Sequence, residues 1–406
     1  MATLKYWLWL TARKGLRGGD AFRILEQFGT PEAAFFADPT EYEASGLSSP
    51  CCASLQDKNL DAAERILADC DRLDIRVLTL QDAEYPERLA NIYDPPCVLY
   101  VKGRVFAFDE EVAIAVVGSR APSEYGKRMA GRLGSELAES GAMVVSGIAQ
   151  GLDTAALRGA LAAGGSVVSV LGCGIDVVHP KENEYLYQDV AAVGALMSEY
   201  PPGTGVEGWH FPVRNRIISG LSVGVVAVEA AERSGTLITA RLALEQGRDT
   251  FAFPGPADAP MSRGTNLLIN RGEAKLVTCG WDVLCEYTDR FPGRLTRPAG
   301  SCVPPPEPVI QPGKPILSQA AEQAPVDRAE KRAYITLKAC RAEFTDDERD
   351  ILLALGARSL RSDDLIEAVQ IPARRVLSAL TMLQVRGRVE ELPGKRFEST
   401  VELERE

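Results

Sequence analysis

Five short segments carry the residue types that bind anions. In each, glycine, serine, threonine or arginine gathers where an apolar run gives way to a helix-like one. They read VVGSR (Val116 to Arg120), VVSGIAQGLDTAA (Val144 to Ala156), VLGCG (Val170 to Gly174), FPVRNRIISG (Phe211 to Gly220) and RSGTLITA (Arg233 to Ala240). A helix N-terminus leaves four backbone N–H groups without intrahelical partners, and those groups together with the helix dipole hold phosphate or carboxylate. Phosphate recognition is therefore the chemistry these turns imply. Gly118 permits close backbone approach, Ser119 offers a hydroxyl, and Arg120 offers a forked cationic donor. A solvated Arg120 on a structural turn is the alternative. Ser146 and Gly147 begin the second turn, where Asp153 or Thr154 caps the following helix. Ser234, Gly235 and Thr236 repeat the hydroxyl-and-glycine chemistry of the first turn.

The cations cluster in two places. In WHFPVRNRIISGLS, Pro212 is expected to open a helix whose first turn carries Arg214, Asn215 and Arg216, placing positive charge at the end that already favours anions. That placement is unfavourable unless an anionic partner comes, or unless the arginines pair with carboxylates such as Glu199 or Glu229. In HPKENEYLY, Lys181 stands near a turn with Tyr185 and Tyr187 nearby, an arrangement that suits stacked bases beside phosphates and equally suits core tyrosines beside a surface lysine.

Other chemistries lack their residues. Gly172-Cys173-Gly174 supplies G-x-G without the third glycine of a dinucleotide fingerprint, and no G-x-x-x-x-G-K-[ST] occurs. The two histidines, His179 and His210, have no Cys or His at ligand spacing, and no G-x-S-x-G appears. Glu229 and Glu245 are carboxylates expected to be solvated or paired. No catalytic residue, metal or cofactor is expected.

Positioning these turns requires an α/β core. VAIAVV, AMVV, SVVSVL, ALMSE, VGVVAVE and TFAF are continuous apolar runs without in/out alternation, as strands buried on both faces require. Between them, SEYGKRMAGRLGSELAES puts Met129, Leu133 and Leu137 on one helical stripe. The expected architecture is a doubly wound parallel sheet, with ligands at the carboxyl ends of its strands where all five turns converge. Residues 1–75 read as a small helical module, 76–288 as the core, 289–344 as a Pro-rich linker and 345–406 as a small C-terminal domain. The last begins with a Thr345/Glu348 capping box and continues as three helices and a hairpin, the winged-helix pattern.

Composition bounds the rest. The 406-residue chain is 46% hydrophobic with a net charge of −11, so nucleic-acid binding would need a local basic cluster on an acidic body. Nine irregularly spaced cysteines without C-x-x-C read as reduced thiols, and the first apolar run is too short for a signal segment. With no run long enough to span a membrane, a soluble cytoplasmic protein is expected.

Taken in order, VVGSR, SGIAQGLDTAAL, HPKEN, SEYPPG, FPVRNRIISGLS, VEAAERSGTLITARLALEQGRDTFAFPG and SRGTNLLINRGEAKLV closely resemble the DprA (Smf) family of DNA-processing proteins. The resemblance runs from about Tyr85 to about Trp281, and the ends fit that family's longer members, with a SAM-like or helix-hairpin-helix module and a winged helix. It implies an extended Rossmann-like core that binds single-stranded DNA, protects incoming strands in natural transformation and loads the RecA recombinase. It also implies a homodimer without cofactor or turnover. Carried over, the pocket comprises Ser119 and Arg120 of the GSR turn, Lys181, and Phe211, Arg214, Asn215 and Arg216, with floors at Ser146-Gly147 and Ser234-Gly235-Thr236. His179 departs from the usual tyrosine, Glu273 interrupts the usual GA after INRG, and LRGGDAF lacks a regular GxG hairpin.

A rival reading is a phosphoribohydrolase-like enzyme acting on nucleotides. Its P-G-G-x-G-T-x-x-E signature is incomplete here, because Thr239 stands where the glutamate would follow Gly-Thr. Arg374, Arg375, Arg386, Arg388, Lys395 and Arg396 could line a DNA face of the winged helix. Acidic residues outnumber basic ones there, which favours partner or dimer contacts.

Overall fold

The computed structural model describes residues 3–13, 16, 19–44, 46–297, 333–336, 344–356, 360–369, 371–392 and 396–404; the Pro-rich stretch lies almost wholly outside them. The chain forms two compact units, residues 1–307 and 308–406.

The first unit begins with six helices, α1 (Leu4–Thr11), α2 (Asp20–Phe28), α3 (Pro31–Phe36), α4 (Pro39–Ala44), α5 (Ser49–Gln56) and α6 (Asp61–Leu73). Their own core holds Trp9, Leu10, Ile24, Phe35 and Tyr42. Trp7 and Leu8 of α1, with Ala63 and Cys70 of α6, instead join the large core over the sheet. The boundary drawn at residue 75 therefore does not divide two independent cores.

An antiparallel pair follows, β1 (Arg76–Thr79) and β2 (Val98–Gly103), linked through the one-turn α7 (Glu87–Ala90). Next come β3 (Ala113–Val117), α8 (Glu124–Glu139), β4 (Met143–Ser146), α9 (Leu152–Ala162), β5 (Val167–Leu171), α10 (Glu184–Val193) and β6 (Ala195–Ser198). The unit ends with α11 (His210–Leu221), β7 (Gly224–Ala227), α12 (Gly235–Glu245), β8 (Asp249–Ala252), α13 (Arg263–Asn270), β9 (Lys275–Leu276) and α14 (Gly280–Leu284). Every residue of β3, β4, β5, β6 and β7 is buried, which explains their uninterrupted apolar sequences. Ser123 caps α8 by accepting the Gly126 N–H, and Ala130, Leu133 and Leu137 form its buried stripe.

The nine strands run in the order β1-β2-β6-β5-β4-β3-β7-β8-β9. From β6 to β9 all pairings are parallel, while β2 lies antiparallel to β6. Because β4 follows β3 on one side and β7 flanks it on the other, the winding reverses between β3 and β7. Such a switch point leaves a crevice beyond the carboxyl ends of the two strands. The expected doubly wound α/β core is thus present, with an antiparallel edge. The core also continues past residue 288: Phe291 is buried and the Thr296 N–H donates to the Ser140 carbonyl.

In the second unit, α15 (Asp346–Leu355), α16 (Ser362–Val369) and α17 (Ala373–Val385) enclose Ile351, Leu355, Leu365, Val376, Leu380 and Leu383. The strands β11 (Leu360–Arg361), β12 (Val389–Leu392) and β13 (Arg396–Ser399) form a sheet ordered β11-β13-β12. This is the expected winged helix, and the Thr345/Glu348 capping box forms as the sequence predicts. A further pair, β10 (Ala333–Thr336) and β14 (Val401–Glu404), runs parallel. Among the described residues no helix is long and apolar enough to cross a membrane.

Candidate nucleic-acid interface

A cavity of about 610 Å³ opens at the β3/β7 switch point. One lip is the turn after β3, Gly118 to Ala121; the other is the loop entering α12, Ala231 to Thr236; the first two turns of α11 close the third side. Three arginines line it, Arg120, Arg214 and Arg233, against one carboxylate, Asp153. The local charge is therefore opposite in sign to that of the whole chain.

The first lip is built to carry Arg120 outward. Ser119 donates its N–H to the Glu229 carbonyl at 3.0 Å, while its Oγ accepts from the Ala121 N–H at 3.1 Å. Gly151, at φ +94°, packs so closely beneath that a Cβ there would come within 2.4 Å of the Ser119 carbonyl oxygen. Arg120 itself is exposed, and its guanidinium lies 4.9 Å from the centre of the Phe211 ring. The guanidinium of Arg214 lies 5.9 Å from the centre of the same ring, and the centre of the His179 ring lies 5.7 Å from that of Phe211. His179 therefore keeps an aromatic surface beside Phe211. On the second lip, Ser234 caps α12, its Oγ accepting the Thr236 N–H at 3.2 Å.

Nine of the sequence-predicted residues line this cavity: Gly118, Ser119, Arg120, Phe211, Arg214, Asn215, Ser234, Gly235 and Thr236. Four do not. The Ser146-Gly147 turn is filled from within, because the Gly147 and Ala149 N–H groups donate to Asp153 at 3.2 and 3.3 Å and the Ser146 hydroxyl donates to the Val116 carbonyl at 2.7 Å. The Gly147 carbonyl accepts from Arg214 at 2.9 Å, and a Cβ on Gly147 would meet that guanidinium at 2.5 Å. Likewise, Gly172-Cys173-Gly174 is closed: Gly174 N–H donates to the Thr204 carbonyl, and the His210 ring donates to that of Gly172. Convergence of all five turns on one ligand is therefore replaced by two open lips and two closed turns. Lys181 is exposed in a short 3-10 turn two residues from His179 and outside the lining. Tyr187 is buried, its hydroxyl bonded to His179 backbone at both N and O, whereas Tyr185 is exposed.

Helix α11 starts at His210 rather than Pro212, so Pro212 is its third residue and the arginines lie beyond its first turn. Proline is tolerated there because first-turn N–H groups have no intrahelical acceptor. Arg214 is buried beneath the cavity, bonded to the carbonyls of Gly147 and Val170. Burial pushes its pKa down and that of Asp153 up, and each charge offsets part of the other's cost. Arg216 points the other way: its guanidinium makes a two-pronged bond to Glu199 at 2.9 and 2.7 Å and a 3.3 Å contact to Asp94. The sequence alternative of an Arg–Glu199 pair is what Arg216 forms.

Arg233 is a lining residue absent from the sequence-predicted set, although it directly precedes the Ser-Gly-Thr turn. Glu229 is buried and serves neither Arg214 nor Arg216; its carboxylate accepts from Ser123. In the winged helix, Arg375 pairs with Asp347 and Arg386 with Glu348. Lys395 lies outside the described residues, as does the side chain of Arg374. Among the described residues, no group of three or more His, Cys, Asp or Glu side chains is placed to hold a metal ion.

Comparison with known proteins gives consistent matches. A family model described as DNA recombination-mediator protein A matches residues 76–288, and one described as DprA winged helix domain matches residues 335–395. The chain is 40% identical over 226 residues to the DNA processing protein DprA of Bacillus subtilis, covering 56% of this chain and 76% of the relative. It is 29% identical over 415 residues to Protein Smf of Synechocystis sp., covering 97% and 98%. Among solved structures, DNA processing protein A of Streptococcus pneumoniae aligns with a TM-score of 0.61 at 37% identity, over 70% of this chain and 97% of that one.

Proposed function

The chain belongs to the DNA recombination-mediator protein A family, and on that premise we propose that it is a DNA-processing protein that binds single-stranded DNA in the switch-point cavity. One observation carries the reading: a cavity between two turns, lined by three arginines and one carboxylate, with the Phe211 ring 4.9 and 5.9 Å from two of the guanidinium groups. Phosphates bind to Arg120, Arg233 and the backbone of the two lips, while a base stacks near Phe211 and His179. Stacking serves any base, so affinity is sequence-tolerant, and phosphate contacts make it fall with salt.

The same reading makes the protein a cytoplasmic mediator without catalytic turnover. It protects incoming strands in natural transformation, acts as a homodimer and loads RecA on the strand. Support for these finer assignments comes from the sequence resemblance. Fluorescence-anisotropy titration with labelled oligothymidine tests the binding reading: submicromolar affinity that weakens in Arg120→Ala is expected, and affinity unaffected by Arg120→Ala would overturn the cavity as the site. RecA nucleation on single strands, timed with and without the protein, tests the loading role. Incubation with nucleoside monophosphates is expected to release no free base.

A further inference from the structure

We infer that Glu229 is the positioning residue that aims Arg120 at the strand, an inference that rests on the cavity being the binding site. Arg120 sits on the loop between β3 and α8, and that loop is anchored at both ends by this one residue of the neighbouring segment. At the start of the loop, the Ser119 N–H donates to the Glu229 carbonyl at 3.0 Å. At its end, the Ser123 N–H donates to Glu229 Oε2 at 3.0 Å and the Ser123 hydroxyl to Oε1 at 2.5 Å. The Ser123 Oγ in turn accepts the Gly126 N–H at 3.1 Å and so caps α8. The glutamate thereby fixes both the loop and the helix start.

Space around the carboxylate supports this role. Glu229 is 2% exposed, and a Cβ on Gly126 would lie 2.1 Å from its Oε2, so the helix approaches as closely as a glycine allows. Downstream, the same segment continues through Ala231 and Arg233 into the opposite lip. A carboxylate at this depth is an unfavourable neighbour for a phosphate, and its use here follows from the three donors it and its carbonyl satisfy on the Arg120 loop. A shorter or apolar side chain would leave the Ser123 N–H without its acceptor and free the loop to move away from the β3/β7 crevice.

The test compares wild type, Arg120→Ala, Glu229→Ala, Glu229→Gln, Gly126→Ala and the Arg120→Ala/Glu229→Ala double variant. Each full chain is titrated against oligothymidine across a salt series, with thermal melting as the folding control. Glu229→Ala is expected to lose affinity roughly tenfold. Its salt slope should drop by about 0.7, the value of one phosphate contact on a single strand. The double variant is expected to bind no worse than Arg120→Ala alone, because one contact is being removed twice. Glu229→Gln keeps an oxygen for the Ser123 N–H and should retain most of the affinity. Gly126→Ala displaces the carboxylate without touching the loop and should match Glu229→Ala, which decides the matter should the latter not fold. Additive losses with an unchanged salt slope in Glu229→Ala or Gly126→Ala would overturn the positioning role. Wild-type binding by Arg120→Ala would sink the cavity reading itself.

Discussion

Helix α11 separates two cavities of opposite character. On one flank lies the switch-point cavity of about 610 Å³, where Arg120, Arg214 and Arg233 face a single carboxylate. On the other lies a cavity of about 290 Å³ between α1, β2 and α11, where Arg216 is bracketed by Glu199 and Asp94. Arg214 and Arg216 are two residues apart in one RNR sequence, yet a two-residue step turns the helix by about 200° and sends them to opposite sides. Arginines in a motif therefore do not define an anion site; the balance of carboxylates around each one does. Only the first flank keeps positive charge in excess at an open surface.

Substitutions on the two flanks should therefore act differently. The largest effect is expected at Arg214: replacement by alanine leaves Asp153 buried without its cation and the Gly147 and Val170 carbonyls without their donor. It should lower stability by about 3–5 kcal/mol, read as a fall in melting temperature. Next comes Arg216→Ala, which strands two carboxylates that are each about a quarter exposed and should cost roughly 1–3 kcal/mol. Because its charge is already neutralised, the salt slope of strand binding should stay at the wild-type value. A reduced slope would move the interface onto the second flank. Arg120→Ala should do the reverse, leaving melting unchanged while weakening oligothymidine binding roughly tenfold, about 1.4 kcal/mol. Lys181→Ala is expected to have the smallest effect, a loss of about two- to threefold, since an exposed lysine outside the cavity lining contributes mainly screened attraction.

Much of this was visible in the sequence, and the parts that were not share a cause. The six apolar runs from VAIAVV to TFAF became β3 to β8 because burial on both faces demands continuous apolar residues. The Gly118 and Ser234 turns were recognisable because their hydroxyls and glycines act locally, within two or three residues. The partners of Arg214 and Arg216 depend on tertiary placement: Arg216 reaches the Asp94 carbonyl across 122 residues, and Arg214 reaches that of Gly147 across 67. Pro212 marked the first turn of α11 but not its first residue, since any of the first four positions accommodates proline. Residues 1–75 read as a separate helical module, and only the packing shows Trp7 and Leu8 sharing the core of the sheet.

Hydrogen exchange of the full chain with and without oligothymidine reports both flanks of α11 in one experiment. Protection confined to segments 117–121, 208–215 and 231–239 is the predicted result. Protection centred on segments 94–100 and 199–201, with the switch-point lips unchanged, would contradict it.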